Sequence, residues 1–226
     1  MTAVGAQSLR IEVGPGEEVS ALLMQPPQAR ACYVFAHGAG AGMAHASMET
    51  VVAGLAERSI ATLRYQFPYM EKGSKRPDTP KVAHAAVRAA VAEAGRCCPA
   101  LPLIAGGRSF GGRMTSQAQA IDALPDVRGL AFLGFPLHPA GKPSSDRAKH
   151  LGDIQIPMLF LQGTRDALAE LDQLEPVITS LGKRATLKLF ADADHSFHVP
   201  ARTGRKDPQV RADMLDAMAA WIERLA

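Results

Sequence analysis

Short apolar runs recur along this chain and alternate with longer stretches in which apolar residues return every third or fourth position. The runs at Ala31–Ala36, 101–104, 156–162 and Ala185–Phe190 have the length and flanking turn residues of strands. Most are nearly continuous rather than alternating, the mark of a strand covered on both faces. Segments 9–13 and 19–24, on either side of Gly14-Pro15-Gly16, predict a hairpin. Thr79-Pro80 reads as an N-cap and first-turn proline, after which Ala83, Val87, Ala90, Val91 and Ala94 mark one helical face. Phe110, Met114, Ala118, Ile121 and Leu124 mark a second. Asp207-Pro208 opens a last helix whose inner face carries Val210, Met214, Met218, Trp221 and Leu225. Strands alternating with helices predict a mostly parallel sheet. The helical stripes face a core and require no cofactor.

One junction between strand and helix carries chemistry. The run 101–104 leads into Gly106-Gly107-Arg108-Ser109-Phe110-Gly111-Gly112. A serine within Gly-x-Ser-x-Gly at such a junction is a nucleophile elbow, with glycines small enough for strand and helix to approach. A serine hydroxyl needs a base, and the base needs an acid to orient it. In this motif the acid follows the serine and the histidine follows the acid. Asp166 lies just past the run 156–162, and His195 in the loop after Ala185–Phe190, each at the carboxyl end of a strand. These three are the expected catalytic residues. His198 is the competing base if the loop is read out of register. Asp153 precedes its strand, Asp172 falls on the helix after the acid loop, and Asp192 and Asp194 are expected to shape the turn before His195.

The run Ala31–Ala36 empties into His37-Gly38-Ala39-Gly40-Ala41-Gly42. Two backbone N–H groups are expected to form an oxyanion hole: Phe110, after the nucleophile, and Ala39 in this loop, with Gly38 as its alternative. His37 is then a structural histidine. The glycine spacing also suggests a dinucleotide loop, but Met43 stands where the third glycine is required. Arg64, at the end of the next strand, carries what remains of a phosphate-binding reading. Gly38, Phe67, Tyr69, Met70, Arg108, Phe135 and Phe197 are expected to border the substrate pocket. Arg108 could meet either an anionic substrate or a buried ion-pair partner.

Composition narrows the remaining classes. The 226 residues, 47% hydrophobic, suit one domain spanning 1–226 with a sizeable core. A net charge of +3 gives no concentrated basic face for nucleic acid. No run approaches membrane-spanning length, and no signal-peptide pattern opens the chain. Three cysteines, two of them adjacent, make no disulfide framework, and no asparagine offers a glycosylation sequon. A cytoplasmic location is expected. No His-Glu-x-x-His or Walker pattern points to a metal or a nucleoside triphosphate. The loops 71–78 and 139–146 are too short for a cap domain.

Several pieces together resemble a known family: His37-Gly38-Ala39-Gly40, the stretch Arg64-Tyr65-Gln66-Phe67-Pro68-Tyr69-Met70, and Gly107-Arg108-Ser109-Phe110-Gly111-Gly112-Arg113. Gly134-Phe135-Pro136-Leu137-His138-Pro139, Gln162-Gly163-Thr164-Arg165-Asp166 and Asp194-His195-Ser196-Phe197 complete the set. The chain resembles the small, cap-less α/β-hydrolases related to dienelactone hydrolases. It is most similar to the branch of the testis-expressed protein 30 and the chromatin acetyltransferase complex regulatory subunit 3. The resemblance implies an α/β-hydrolase fold, with an eight-stranded, mostly parallel sheet, helices on both faces, and a Ser109, Asp166, His195 triad. It supplies no substrate. Dienelactone hydrolases proper use a cysteine nucleophile, which Ser109 is not.

The expected function is a serine hydrolase cleaving a small ester, thioester or related acyl substrate through an acyl-enzyme. The alternatives are a non-enzymatic or weakly active interaction scaffold, and an acyltransferase using the same triad. The expected partner is a small-molecule acyl substrate, with no cofactor, no metal, no nucleic acid and no membrane.

Overall fold

The computed structural model describes residues 5–225. Its centre is an eight-stranded sheet in the order β1-β2-β4-β3-β5-β6-β7-β8. β1 (Gln7–Gly14) and β2 (Glu17–Met24) form the expected hairpin, and β2 pairs antiparallel with β4 (Ile60–Tyr65). From β4 onward every pairing is parallel: β3 (Ala31–Ala36), β5 (Leu103–Arg108), β6 (Val127–Leu133), β7 (Met158–Gly163) and β8 (Ala185–Phe190). β3 and β4 are buried at every position, as strands covered on both faces must be.

Side chains alternate between the two faces, and each face has its own core. On one side α1 (Ala46–Glu57) and α6 (Asp207–Glu223) cover Tyr33, Phe35, Ile104, Leu133 and Leu161. On the other, α3 (Pro80–Cys97), α4 (Phe110–Ile121) and α5 (Leu171–Leu181) cover Val34, Leu63, Ala105, Phe132 and Phe160. A short α2 (Pro68–Glu71) follows β4, and a 3-10 helix at Asp146–Asp153 bridges β6 to β7. The described residues form no separate cap domain.

Two helical details depart from the sequence reading. Thr79 takes the N-cap position of α3, but its side chain makes no capping hydrogen bond. On α4 the expected inner stripe holds at Phe110, Met114 and Ala118, and Leu124 is buried as well, but Ile121 departs from it. Ile121 is 71% exposed, and Leu124 lies beyond the helix. The buried side also includes Gly111, Gly112, Thr115 and Gln119, small or polar residues that an apolar pattern does not register. The face turns because the start of α4 lies directly on β3 and β5, where only small groups fit.

Candidate active site

At the elbow, Ser109 sits between the last residue of β5 and the first of α4 with φ 49° and ψ −114°. A non-glycine residue there carries about 1–3 kcal/mol of backbone strain, held in place by its surroundings. Those surroundings leave no room for side chains. A Cβ on Gly107 would lie 2.5 Å from the Ala36 carbonyl oxygen, and one on Gly111 2.5 Å from that of His37. Both clashes are with backbone, so the glycines are what lets β3, β5 and α4 meet at this point.

The three residues from separate strand ends converge. His195 Nε2 lies 2.8 Å from Ser109 Oγ, and its Nδ1 lies 2.6 Å from Asp166 Oδ2. Asp166 is buried and its Oδ2 faces Nδ1, so Nδ1 donates to the carboxyl oxygen and Nε2 is free to accept from the serine hydroxyl. Asp166 Oδ1 accepts from the Leu168 backbone N–H at 2.8 Å, which holds the carboxylate across the turn after β7. Its Oδ2 also accepts from Gln162 Nε2 at 2.5 Å. Gln162 is fully buried, and its Oε1 receives the Phe135 N–H at 2.9 Å. In the sequence Gln162 ends a strand and opens the Gln-Gly-Thr-Arg-Asp piece of the resemblance, with no role assigned to it. Its signal was a polar residue closing an apolar run four positions before the acid.

The competing residues have other partners. His198 is exposed and pairs with Asp207, Nδ1 to Oδ2 at 2.9 Å. Asp194 Oδ1 accepts from the N–H groups of Ser196 and His198 and so builds the turn that presents His195. The Asp192 backbone donates to Thr164 Oγ1 at 2.8 Å in a left-handed conformation. Asp153 ends the 3-10 helix before β7, and Asp172 lies in the first turn of α5.

The loop after β3 crosses above the elbow. A Cβ on Gly38 would lie 3.8 Å from Ser109 Cβ, which places Ala39 beside the nucleophile. Among the described residues the Ala39 N–H takes part in no turn or loop hydrogen bond, and the Phe110 N–H, first in α4, has no acceptor within its helix. His37 is buried beneath this loop. Its Nε2 accepts from the Phe67 N–H at 3.0 Å, so its Nδ1–H donates to the Gly38 carbonyl at 2.8 Å. Burial lowers its pKa to about 4 and keeps it neutral. Arg64 is also structural: Nη1 donates to the Met43 carbonyl at 2.9 Å and Nη2 lies 3.8 Å from Glu49. Its Nε is buried without a partner, and the residue is only 5% exposed, so the guanidinium is sealed inside the protein and offers no phosphate site, which corrects the phosphate-binding reading.

The residues expected to border the pocket divide into three groups. Phe67 and Phe135 are fully buried, Phe67 among Tyr65, Tyr69 and Phe110, and Phe135 among Phe132 and Phe160. Neither presents surface to the site, which corrects that expectation. Tyr69 and Met70 brace the loop after β3, Tyr69 Oη accepting from the Gly40 N–H at 3.4 Å and Met70 Cε packing toward Gly42. Arg108 and Phe197 do line a cavity, described below. No group of three or more potential metal ligands occurs among the described residues.

Residues 29–223 match the family model described as Alpha/beta hydrolase domain. Among solved structures, a dienelactone hydrolase from Anabaena variabilis superimposes with a TM-score of 0.78 at 17% identity, over 97% of each chain. A lidless a/b serine hydrolase from Xanthomonas campestris gives a TM-score of 0.73 at 20% identity, over 98% of this chain and 97% of the other. An esterase from Pyrococcus furiosus gives 0.75 at 14%, over 98% and 93%. At such identities the likeness is one of fold.

Proposed function

This chain belongs to the alpha/beta hydrolase family, and we propose that it is a serine hydrolase acting on a small ester, thioester or related acyl compound. One observation carries the reading: the unbroken relay from Asp166 Oδ2 through the His195 ring to Ser109 Oγ, at 2.6 and 2.8 Å. A strained serine hydrogen-bonded to an oriented imidazole has no structural purpose that a glycine would not serve at lower strain.

In the proposed reaction, Ser109 Oγ attacks the acyl carbon while His195 Nε2 takes the hydroxyl proton. The carbonyl oxygen becomes an oxyanion and is held by the N–H groups of Phe110 and Ala39. His195 then protonates the leaving alcohol or thiol, and the bond to it breaks. A water enters, gives one proton to His195 Nε2 and attacks the acyl-serine, and the returned proton restores Ser109 as the acid departs. Asp166 holds the Nδ1–H throughout and stabilises the imidazolium.

The finer placement within the branch of the testis-expressed protein 30 rests on the Phe-Pro-Tyr-Met and Phe-Pro-Leu-His-Pro pieces. No helix among the described residues is long and apolar enough to cross a membrane, and the three cysteines are free. A cytoplasmic setting is part of the proposal.

The test is reaction of the purified protein with a fluorophosphonate, read by intact mass. One stoichiometric adduct, absent in Ser109→Ala, is expected. Absence of an adduct on folded protein would overturn the reading in favour of an interaction scaffold.

A further inference from the structure

Along β5 the positions facing α1 and α6 are Ile104, Gly106 and Arg108, so this side of the strand runs from an apolar residue through a glycine to a cation. Arg108 immediately precedes the nucleophile. Its side chain opens onto a cavity of about 150 Å³ whose floor is Phe35, Met48, Leu133 and Phe197. Arg211 of α6 and the hydroxyl residues Ser47 and Ser196 stand around it, together with Asp207. The cavity is therefore flanked by the chain neighbours of both Ser109 and His195.

The Arg108 guanidinium makes no hydrogen bond within the described residues. Burial lowers its pKa, and the single opposing influence is the charge of Asp194, which lies beyond ion-pair contact and is engaged by the turn at Ser196 and His198. The alternative expected from sequence, a buried ion pair, is thus not formed. Asp207 does not supply the missing partner either: Oδ1 accepts from the Val199 N–H at 3.0 Å, and Oδ2 is paired with His198. Arg108 is only partly buried and its nitrogens keep some exposure, so the unpaired guanidinium is open to a ligand, and its planar fork fits a carboxylate or phosphate.

We propose that this cavity holds an anionic group of the substrate, a carboxylate or phosphate carried a few bonds from the scissile carbonyl. Arg108 binds it directly and Arg211 adds attraction from the rim. The inference rests on the hydrolase reading and narrows its substrate class to acyl compounds bearing a negative charge, such as half-esters or half-thioesters of short dicarboxylic acids. Phe35, Leu133 and Phe197 would pack on the chain between the two ends.

The experiment compares kcat/KM for 4-nitrophenyl hemiglutarate with that for 4-nitrophenyl valerate, which has the same acyl length but no charge. The wild-type protein is expected to favour the hemiglutarate at least tenfold. Arg108→Gln should lower that ratio by tenfold or more, Arg108→Lys should restore part of it, and Arg211→Gln should lower it by a smaller factor. A ratio unchanged in both glutamine variants, while Ser109→Ala abolishes turnover of both esters, would overturn the anion site and leave the hydrolase reading standing. Calorimetric titration of glutarate and, separately, inorganic phosphate into wild-type and Arg108→Gln protein reads the site without turnover. Saturable binding lost in the variant supports it and tells carboxylate from phosphate; no binding of either by wild-type protein overturns it even if no ester is cleaved.

Discussion

Gln162 Nε2 donates to the same carboxylate oxygen of Asp166 that faces His195 Nδ1, so one buried oxygen receives two hydrogen bonds, at 2.5 and 2.6 Å. The second donor fixes which lone pair of Oδ2 remains for the histidine. Gln162 also closes a bond from the Phe135 N–H, tying the ends of β6 and β7 together beneath the acid. It acts through Asp166, as a positioning residue.

Gln162→Met should therefore affect both stability and rate. It leaves the Phe135 N–H unpaired in the interior and removes a charge-assisted bond, a cost of about 2–3 kcal/mol. The loss of orientation should appear as about a tenfold fall in kcat with little change in KM. Gln162→Glu, which keeps the acceptor but sets a second acid against Asp166, should shift the pH dependence of kcat. A purely structural Gln162 would move the unfolding midpoint and leave kcat and its pH profile alone.

Asp166→Asn keeps the volume but reverses the tautomer. The new amide can donate to Nδ1, which then holds no proton, and Nε2–H can no longer accept from Ser109. A loss of order 10³–10⁴ in kcat is expected, with the fold intact by circular dichroism. A loss smaller than tenfold would show that Asp166 does not orient the base.

Gly111→Ala tests the contact between α4 and β3. The added methyl would lie 2.5 and 2.6 Å from the carbonyl oxygens of His37 and Ala36, neither of which can swing aside. Destabilisation of about 1–3 kcal/mol is expected by urea unfolding. Activity should fall further than stability, because the loop that must shift carries Ala39. Gly152→Ala, where a Cβ meets nothing within 4 Å, is the matched control and should stay within about 0.5 kcal/mol.

The strands were the most legible part of the sequence. β3 and β8 begin and end where the apolar runs do, and β5 extends past its run only because Gly106 and Gly107 continue the extended backbone into the elbow. The inner face of α4 was legible only in its apolar part, Phe110, Met114 and Ala118, since close approach to β3 adds Gly111, Gly112 and Thr115, which no apolar pattern marks. The approach of Ser109, Asp166 and His195 followed from their places at strand ends, which topology alone brings together. What escaped was burial. Phe67 and Phe135 follow strands that end at the site, but they turn into the aromatic core. Gln162 and the unpaired Arg108 acquire meaning only from neighbours distant in the chain.

Acid should destabilise the protein in a defined window. His37 and His150 are both held near pKa 4, His37 by burial and His150 by burial and then by Arg113, against about 6.5 when unfolded. The unfolded chain therefore binds these protons first. Their contribution is complete above pH 6.5, declines as pH falls from 6.5 to 4, and is gone below 4. For His37 the full loss is about 3 kcal/mol, at about 1.4 kcal/mol for each pH unit. His150, bonded to Ser116 Oγ at 2.8 Å but less deeply buried, should contribute less. Thermal midpoints measured from pH 8 to 4 should fall through this window, and His150→Gln should fall less steeply than wild type. A midpoint that stays level down to pH 4, or an identical slope in the variant, would mean that these histidines take up their protons in the folded state at no cost.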